Sequence, residues 1–146
     1  MQIPLFVRLA HWIIAVVIVL NLFVLEEGDD WHRWLGYTAV AVLFFRLGWS
    51  YLKRYRRSAP SLLATLNHVF IWICLFCLGL SGWLMMTDRF WGDETLESIH
   101  STLATTMQVL IAMHFIGLAL DSIRFKRHSW TAMFTGKVAT SSRAKD

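Results

Sequence analysis

His100 and His114 stand fourteen residues apart in the stretch IHSTLATTMQVLIAMHFIGLALD. On a helix that spacing puts both on one face, with a rise of roughly 21 Å between them at about 1.5 Å per residue. Two imidazoles on one stripe, near opposite leaflets of a membrane, are half of what holds two haems stacked across a bilayer. The other half has to come from facing helices. Iron in a bis-histidine haem takes one axial nitrogen from each side of the porphyrin, so the partner ligands must lie on different helices at matching depths.

The elements that would position those partners follow from composition. Of 146 residues, 56% are hydrophobic and 16% charged, too apolar a balance for a small soluble domain. Four windows, over about 3–25, 33–52, 62–86 and 98–123, reach the roughly 20 helical residues that a hydrocarbon core requires. The last is diluted by Ser101, Thr102, Thr105, Thr106 and Gln108, polar residues expected to face the interior of a bundle. Pro4 and Pro60 sit at or just before the starts of spans, where a missing N–H costs little. Short connections make consecutive helices antiparallel neighbours, so the expected fold is an all-α membrane protein, a four-helix transmembrane up-down bundle. A single domain over residues 1–136 is expected, with a flexible polar tail over 137–146. The apolar N-terminal stretch has no basic cluster before it and no small-residue cleavage site after it, which reads as a retained span.

Charge gives the orientation. Of 14 Lys and Arg, ten fall in two places: Lys53, Arg54, Arg56 and Arg57, then Arg124, Lys126, Arg127, Lys137, Arg143 and Lys145. Eight of the 10 acids fall in the two other inter-helix loops. By the positive-inside rule the basic loop and the C-terminal tail are cytoplasmic, which puts both termini inside. The basic excess is thus topological, and no nucleic acid is expected as a partner. Trp31, Trp34, Trp49, Tyr51, Tyr55 and Trp91 fall near the two interfaces, as an aromatic belt of membrane-lipid contacts would. After the last span, RFKRHSWTAMFTGK is expected to lie as a short surface helix.

Within this topology His11 and His114 are each buried by roughly 12 to 14 Å from the cytoplasmic side, at about 1.5 Å per residue. His32 and His100 both stand at the outer starts of their spans. The expected haem-iron ligands are therefore His11 with His114 and His32 with His100. Any one of these histidines alone could equally be a hydrogen-bonded core residue. Zinc fits the pairs poorly because it takes about four ligands and no carboxylate or thiol lies at the same depths. Covalent haem attachment is excluded, since the only CxxC, Cys74 to Cys77, is followed by Leu78, and the expected cofactor is two non-covalent b haems. The two cysteines are expected to be core residues.

Other residues share the constellation. Arg46, fourteen residues after His32, and Arg8, one turn before His11, are candidates to meet haem propionates, or else reach the headgroups. Gly36 and Gly117, each one turn past a histidine, would let a porphyrin face lie against backbone, as would ordinary close packing. His68, beside Asn67 and with Asp121 at a similar depth, is a candidate quinone site next to the inner haem.

The chain resembles the prokaryotic cytochrome b561 family, which takes in the b-type cytochrome subunits of nickel-iron hydrogenases. The likeness runs through RLAHW on the first span, HRWLGY and FRLGW on the second, NHVFIW and GLSGWLMM on the third, IHSTLA and AMHFIGLALDS on the fourth, and AMFTGK near the end. It implies a four-helix bundle with two b haems, moving electrons in a bacterial inner membrane between a periplasmic c-type cytochrome or dehydrogenase and quinone. Some similar proteins oxidise superoxide at the outer haem and reduce quinone, which is the alternative function. Outer loops carrying eight acids against Arg33 and Arg89 repel a small anion and attract a lysine-rich protein, which favours the conduit. A haem-free proton or ion transporter is a further alternative, and assembly as a homo-oligomer is left open.

Overall fold

The computed structural model describes residues 3–53, 62–125 and 131–136. They form helices α1 (Leu5–Phe23), α2 (Asp30–Lys53), α3 (Leu62–Met85), α4 (Glu94–Phe125) and α5 (Ala132–Thr135), with no strand among the described residues. The tail over 137–146 and most of the basic loop after Lys53 lie outside them.

Local chemistry sets the helix ends. Pro4 precedes α1 with φ −55°, and its carbonyl accepts the amides of Val7 and Arg8. Asp93 caps α4: its Oδ1 accepts the Leu96 amide at 3.0 Å, and Glu94 and Glu97 follow in the first turn, where the helix dipole favours acids. This cap starts α4 at Glu94, a turn earlier than hydropathy places it. Asp30 likewise pairs with Arg33 at the start of α2, and Arg33 Nη1 donates to Met86 Sδ at 3.2 Å, tying α2 to the end of α3.

Helices α1, α3 and α4 are long and apolar enough to cross a membrane. The second expected span exists as α2 but is not among those three. Arg46 and the half-polar Trp34, Tyr37, Trp49 and Tyr51 interrupt its run of valine, leucine and phenylalanine. Val16, Phe45, Phe70 and Ile123 are among the large apolar side chains that all four long helices turn outward, as a lipid solvent allows.

The core lies at mid-height. Ile18, Ala39, Leu75 and Met107 belong to one buried cluster, and each stands seven residues beyond a histidine: His11, His32, His68 and His100. Seven residues are two turns, roughly 10 Å, so the histidines occupy levels above and below a shared apolar layer. Met107 is fully buried there, midway along α4 between His100 and His114.

One expectation is corrected. Thr105 and Thr106 are exposed on the outer side of α4 instead of its interior, whereas Ser101 and Thr102 border an acidic cleft with Glu27, and Gln108 lines the cavity beside His32 and His100. Thr102, Thr105 and Thr106 donate to the carbonyls four residues back, at 2.8, 3.2 and 2.8 Å, so their hydroxyls are satisfied without a neighbouring helix.

The C-terminal segment is also more engaged than a surface helix. Arg8 Nε donates to the Met133 carbonyl at 3.0 Å, the Ile3 amide donates to the Gly136 carbonyl at 2.8 Å, and the Trp12 and Phe134 rings lie 4.7 Å apart. Gly136 ends α5 at φ 75°, a left-handed conformation that suits glycine, with Arg8 Nη1 2.9 Å from where a Cβ would stand. Because a hydrogen bond from a charged donor is worth about 1.5–3 kcal/mol, Arg8→Ala should speed limited proteolysis within 131–136 by about tenfold or more. Cleavage at the native rate would show that Arg8 does not hold the segment.

Candidate functional site

The close helix packing is of α1 on α2 and α3 on α4, with a lesser contact of α2 on α3. The histidine pairs fall across the other combinations, α1 to α4 and α2 to α4. His11 and His114 have ring centroids 6.4 Å apart, and His32 and His100 are 6.3 Å apart. A nitrogen bound to a metal stands about 2 Å from it and about 1 Å from its own ring centre, so two imidazoles on either side of one iron have centroids about 6 Å apart. Both couples meet that spacing. His68 does not: its ring lies 4.9 Å from that of His114, edge-on, too close for a metal between them.

Ser81 orients His100. Its Oγ lies 2.8 Å from the Cys77 carbonyl, 3.1 Å from that of Leu78 and 2.8 Å from His100 Nδ1. The single hydroxyl proton goes to a carbonyl, so His100 Nδ1–H donates to Ser81, which leaves Nε2 with the lone pair a metal requires. Gly82, next to Ser81, leaves the His100 ring 3.5 Å from its missing Cβ position. A cavity of about 330 Å³ opens here, lined by His32, Gly36, Gly79, Gly82, His100 and Met107 among others. Glu27 and Glu97 also line it, and with Glu94 they border an acidic cleft alongside.

At the inner level the residues named from sequence are partly gathered. Arg46 is buried and holds its guanidinium 5.2 Å from the Trp72 ring centroid, a cation–π contact. Arg8, a candidate for a propionate or the headgroups, has its Nε on Met133 instead. Asn67 Nδ2 donates to the Leu110 carbonyl at 3.3 Å, and its buried Oδ1 finds no hydrogen-bond partner among the described residues. His68 Nδ1 donates to the Ala64 carbonyl at 2.6 Å. Asp121 stands two turns beyond His114 on α4, roughly 10 Å further along. A Cβ on Gly36, which lines the outer cavity, would stand 3.4 Å from Asn21 Nδ2, and one on Gly117 would meet nothing within 4 Å.

Sequence spacing did not point to Ser81, Trp72 or Met133. Met107 could have been found, since it divides the fourteen-residue interval in half. Cys74 is buried and its thiol reaches the Leu103 carbonyl at 3.3 Å. Among the described residues no group of three or more His, Cys, Asp and Glu could hold a bare metal ion. The imidazoles come as couples, the donor set of an axially ligated, planar cofactor.

Apolar helices of bilayer length, with imidazoles meeting across the gaps between them, are the marks of a membrane cytochrome. The family model for prokaryotic cytochrome b561 matches residues 2–136, and the chain belongs to that family. It is accordingly a multi-pass membrane protein of b-haem electron transport. No curated protein and no solved structure matches the chain significantly.

Proposed function

We propose that the chain is a dihaem electron conduit of the bacterial inner membrane, passing electrons between a periplasmic redox protein and membrane quinone. In this proposal α1 to α4 all cross the bilayer as an up-down bundle with both termini cytoplasmic. His11 with His114 grips the inner haem and His32 with His100 the outer one. The observation that carries it is the spacing of the two imidazole couples, 6.4 and 6.3 Å between centroids, which suits an iron in each gap. When bound, the haem supplies one-electron exchange at its iron.

The chain's own residues account for the rest. Arg46, buried against Trp72, is the cation that an inner propionate would neutralise. The layer of Ile18, Ala39, Leu75 and Met107 keeps water out of the interval between the two levels. His68 spends Nδ1–H on Ala64, so Nε2 accepts a proton from a quinol hydroxyl or, once charged, returns one to a quinone carbonyl. The buried Oδ1 of Asn67 is an acceptor for the same headgroup, and Asp121 would lead protons towards the cytoplasm. At the outer end Glu27, Glu94 and Glu97 set a negative field beside the His32 and His100 cavity. That field attracts a lysine-rich c-type cytochrome or dehydrogenase and disfavours superoxide as the electron donor.

A dithionite difference spectrum of the purified chain is expected to show a reducible Soret band worth about two haems, and a colourless preparation made with haem in supply would end the proposal. Stopped-flow reduction by a basic cytochrome should outpace reduction by superoxide and should weaken with salt. His68→Ala should keep both haem signals and slow reoxidation by a quinone by about 10²-fold, the usual worth of a positioned acid or base. Loss of a haem signal in that variant would mean that His68 is itself a ligand.

A further inference from the structure

Resting on the dihaem assignment above, the geometry points to Ser81 as a positioning residue that sets the redox equilibrium of the outer haem through His100. Ser81 is buried, its hydroxyl proton is taken by the carbonyls of Cys77 and Leu78, and its Oγ lone pair faces His100 Nδ1 at 2.8 Å. The serine can therefore only accept from the imidazole. A histidine whose Nδ1–H is held by an acceptor is a more basic ligand at Nε2, and a more basic ligand favours ferric over ferrous iron.

Among the described residues the outer couple has no second device of this kind. His32 Nδ1 is buried and finds no hydrogen-bond partner among the described residues, while the His32 carbonyl is held by Asn21 Nδ2 at 2.9 Å. Among the described residues Ser81 is thus the one side chain that reaches Nδ1 on either imidazole of the pair. Among the described residues the inner couple carries no serine hydrogen bond on His114; its neighbour there is the edge of the His68 ring. The two haems differ in the polarisation of an α4 ligand, so Ser81 pulls the outer equilibrium towards the oxidised form and leaves the inner one alone. The hydroxyl also stops the ring from turning, because Gly82 offers no side chain against which it could rest.

The test is a spectroelectrochemical titration of the native chain, Ser81→Ala and Ser81→Thr, with ferric low-spin electron paramagnetic resonance of each. In Ser81→Ala the outer haem's equilibrium should move towards the reduced form by about threefold to tenfold, tenfold being about 59 mV for one electron. The inner haem should not move, and Ser81→Thr, which keeps the hydroxyl, should return the native value. If Ser81→Ala sheds the outer haem alone and Ser81→Thr restores it, the same role is supported through affinity, at about 10–100-fold. An unmoved outer equilibrium with both haems bound, or equal shifts of both haems, overturns the role of Ser81 and leaves the dihaem assignment standing. A native chain that never binds an outer haem overturns that assignment, and Ser81's role with it.

Discussion

Purified His114→Ala protein is expected to carry about one haem per chain in place of about two, the outer one, and His100→Ala the inner one alone. Each substitution takes one of two axial nitrogens from a couple whose centroids stand 6.4 or 6.3 Å apart. Partners one shell removed from a metal are already worth about 10–100-fold in affinity, so loss of a ligand itself should exceed about 100-fold. The inner level needs a control, because the His68 ring lies 4.9 Å from that of His114 and its Nε2 is a ready substitute. The double variant His68→Ala with His114→Ala removes that rescue. Pyridine haemochrome assay of all four variants counts the haems, and the reduced α-band of the intact proteins, resolved into its two components, tells which one is left. Two haems in the double variant, or one in His68→Ala alone, would break the ligand assignment.

The second large effect is expected at Gly79 of α3, which stands directly against Val40 of α2. A methyl group there would be driven into Val40 Cγ2, well inside van der Waals contact. Valine has one preferred rotamer in a helix and cannot swing aside, so the helices must part. Overpacking of this kind costs about 1–3 kcal/mol. Gly79 also lines the cavity beside His32 and His100, so the same displacement opens the outer site. Gly79→Ala should lower the thermal midpoint in detergent by several degrees and release the outer haem before the inner one. Adding Val40→Ala should recover most of the loss, because the two residues share one contact. A single variant as stable as the native chain would show that the helices yield at no cost.

Much of this arrangement was legible in the chain before any coordinates. Four histidines on three helices, matched by depth, became two facing couples. The reason is geometric. A bilayer fixes where each helix starts and stops, the rise per residue turns sequence position into depth, and an interval of fourteen residues drifts by only about 40° around the helix. The same counting explains why Ile18, Ala39, Leu75 and Met107 make one layer, each seven residues past a histidine. Covalent attachment was excluded by the absence of a histidine after Cys77, a matter of composition alone.

Where the polar residues point was not legible in that way. Thr105 and Thr106 were expected inside and lie outside, because a threonine can satisfy its hydroxyl on its own helix and is then free to face lipid. For Arg8 the sequence left a propionate and the headgroups open, and the structure adds a contact it could not show, Nε on the carbonyl of Met133, 125 residues away. The bond from His100 to Ser81 joins residues nineteen apart on neighbouring helices, with a turn between them that sets their register. Sequence by itself determined the number of long helices and the spacing of the imidazoles along them, since these follow from the periodicity of a single helix and its solvent. Tertiary structure decided which side chain accepts from which ring, which arginine is already engaged and how near α2 comes to α3. Those depend on the rotation and tilt of whole helices against one another, and packing between residues distant in the chain sets them.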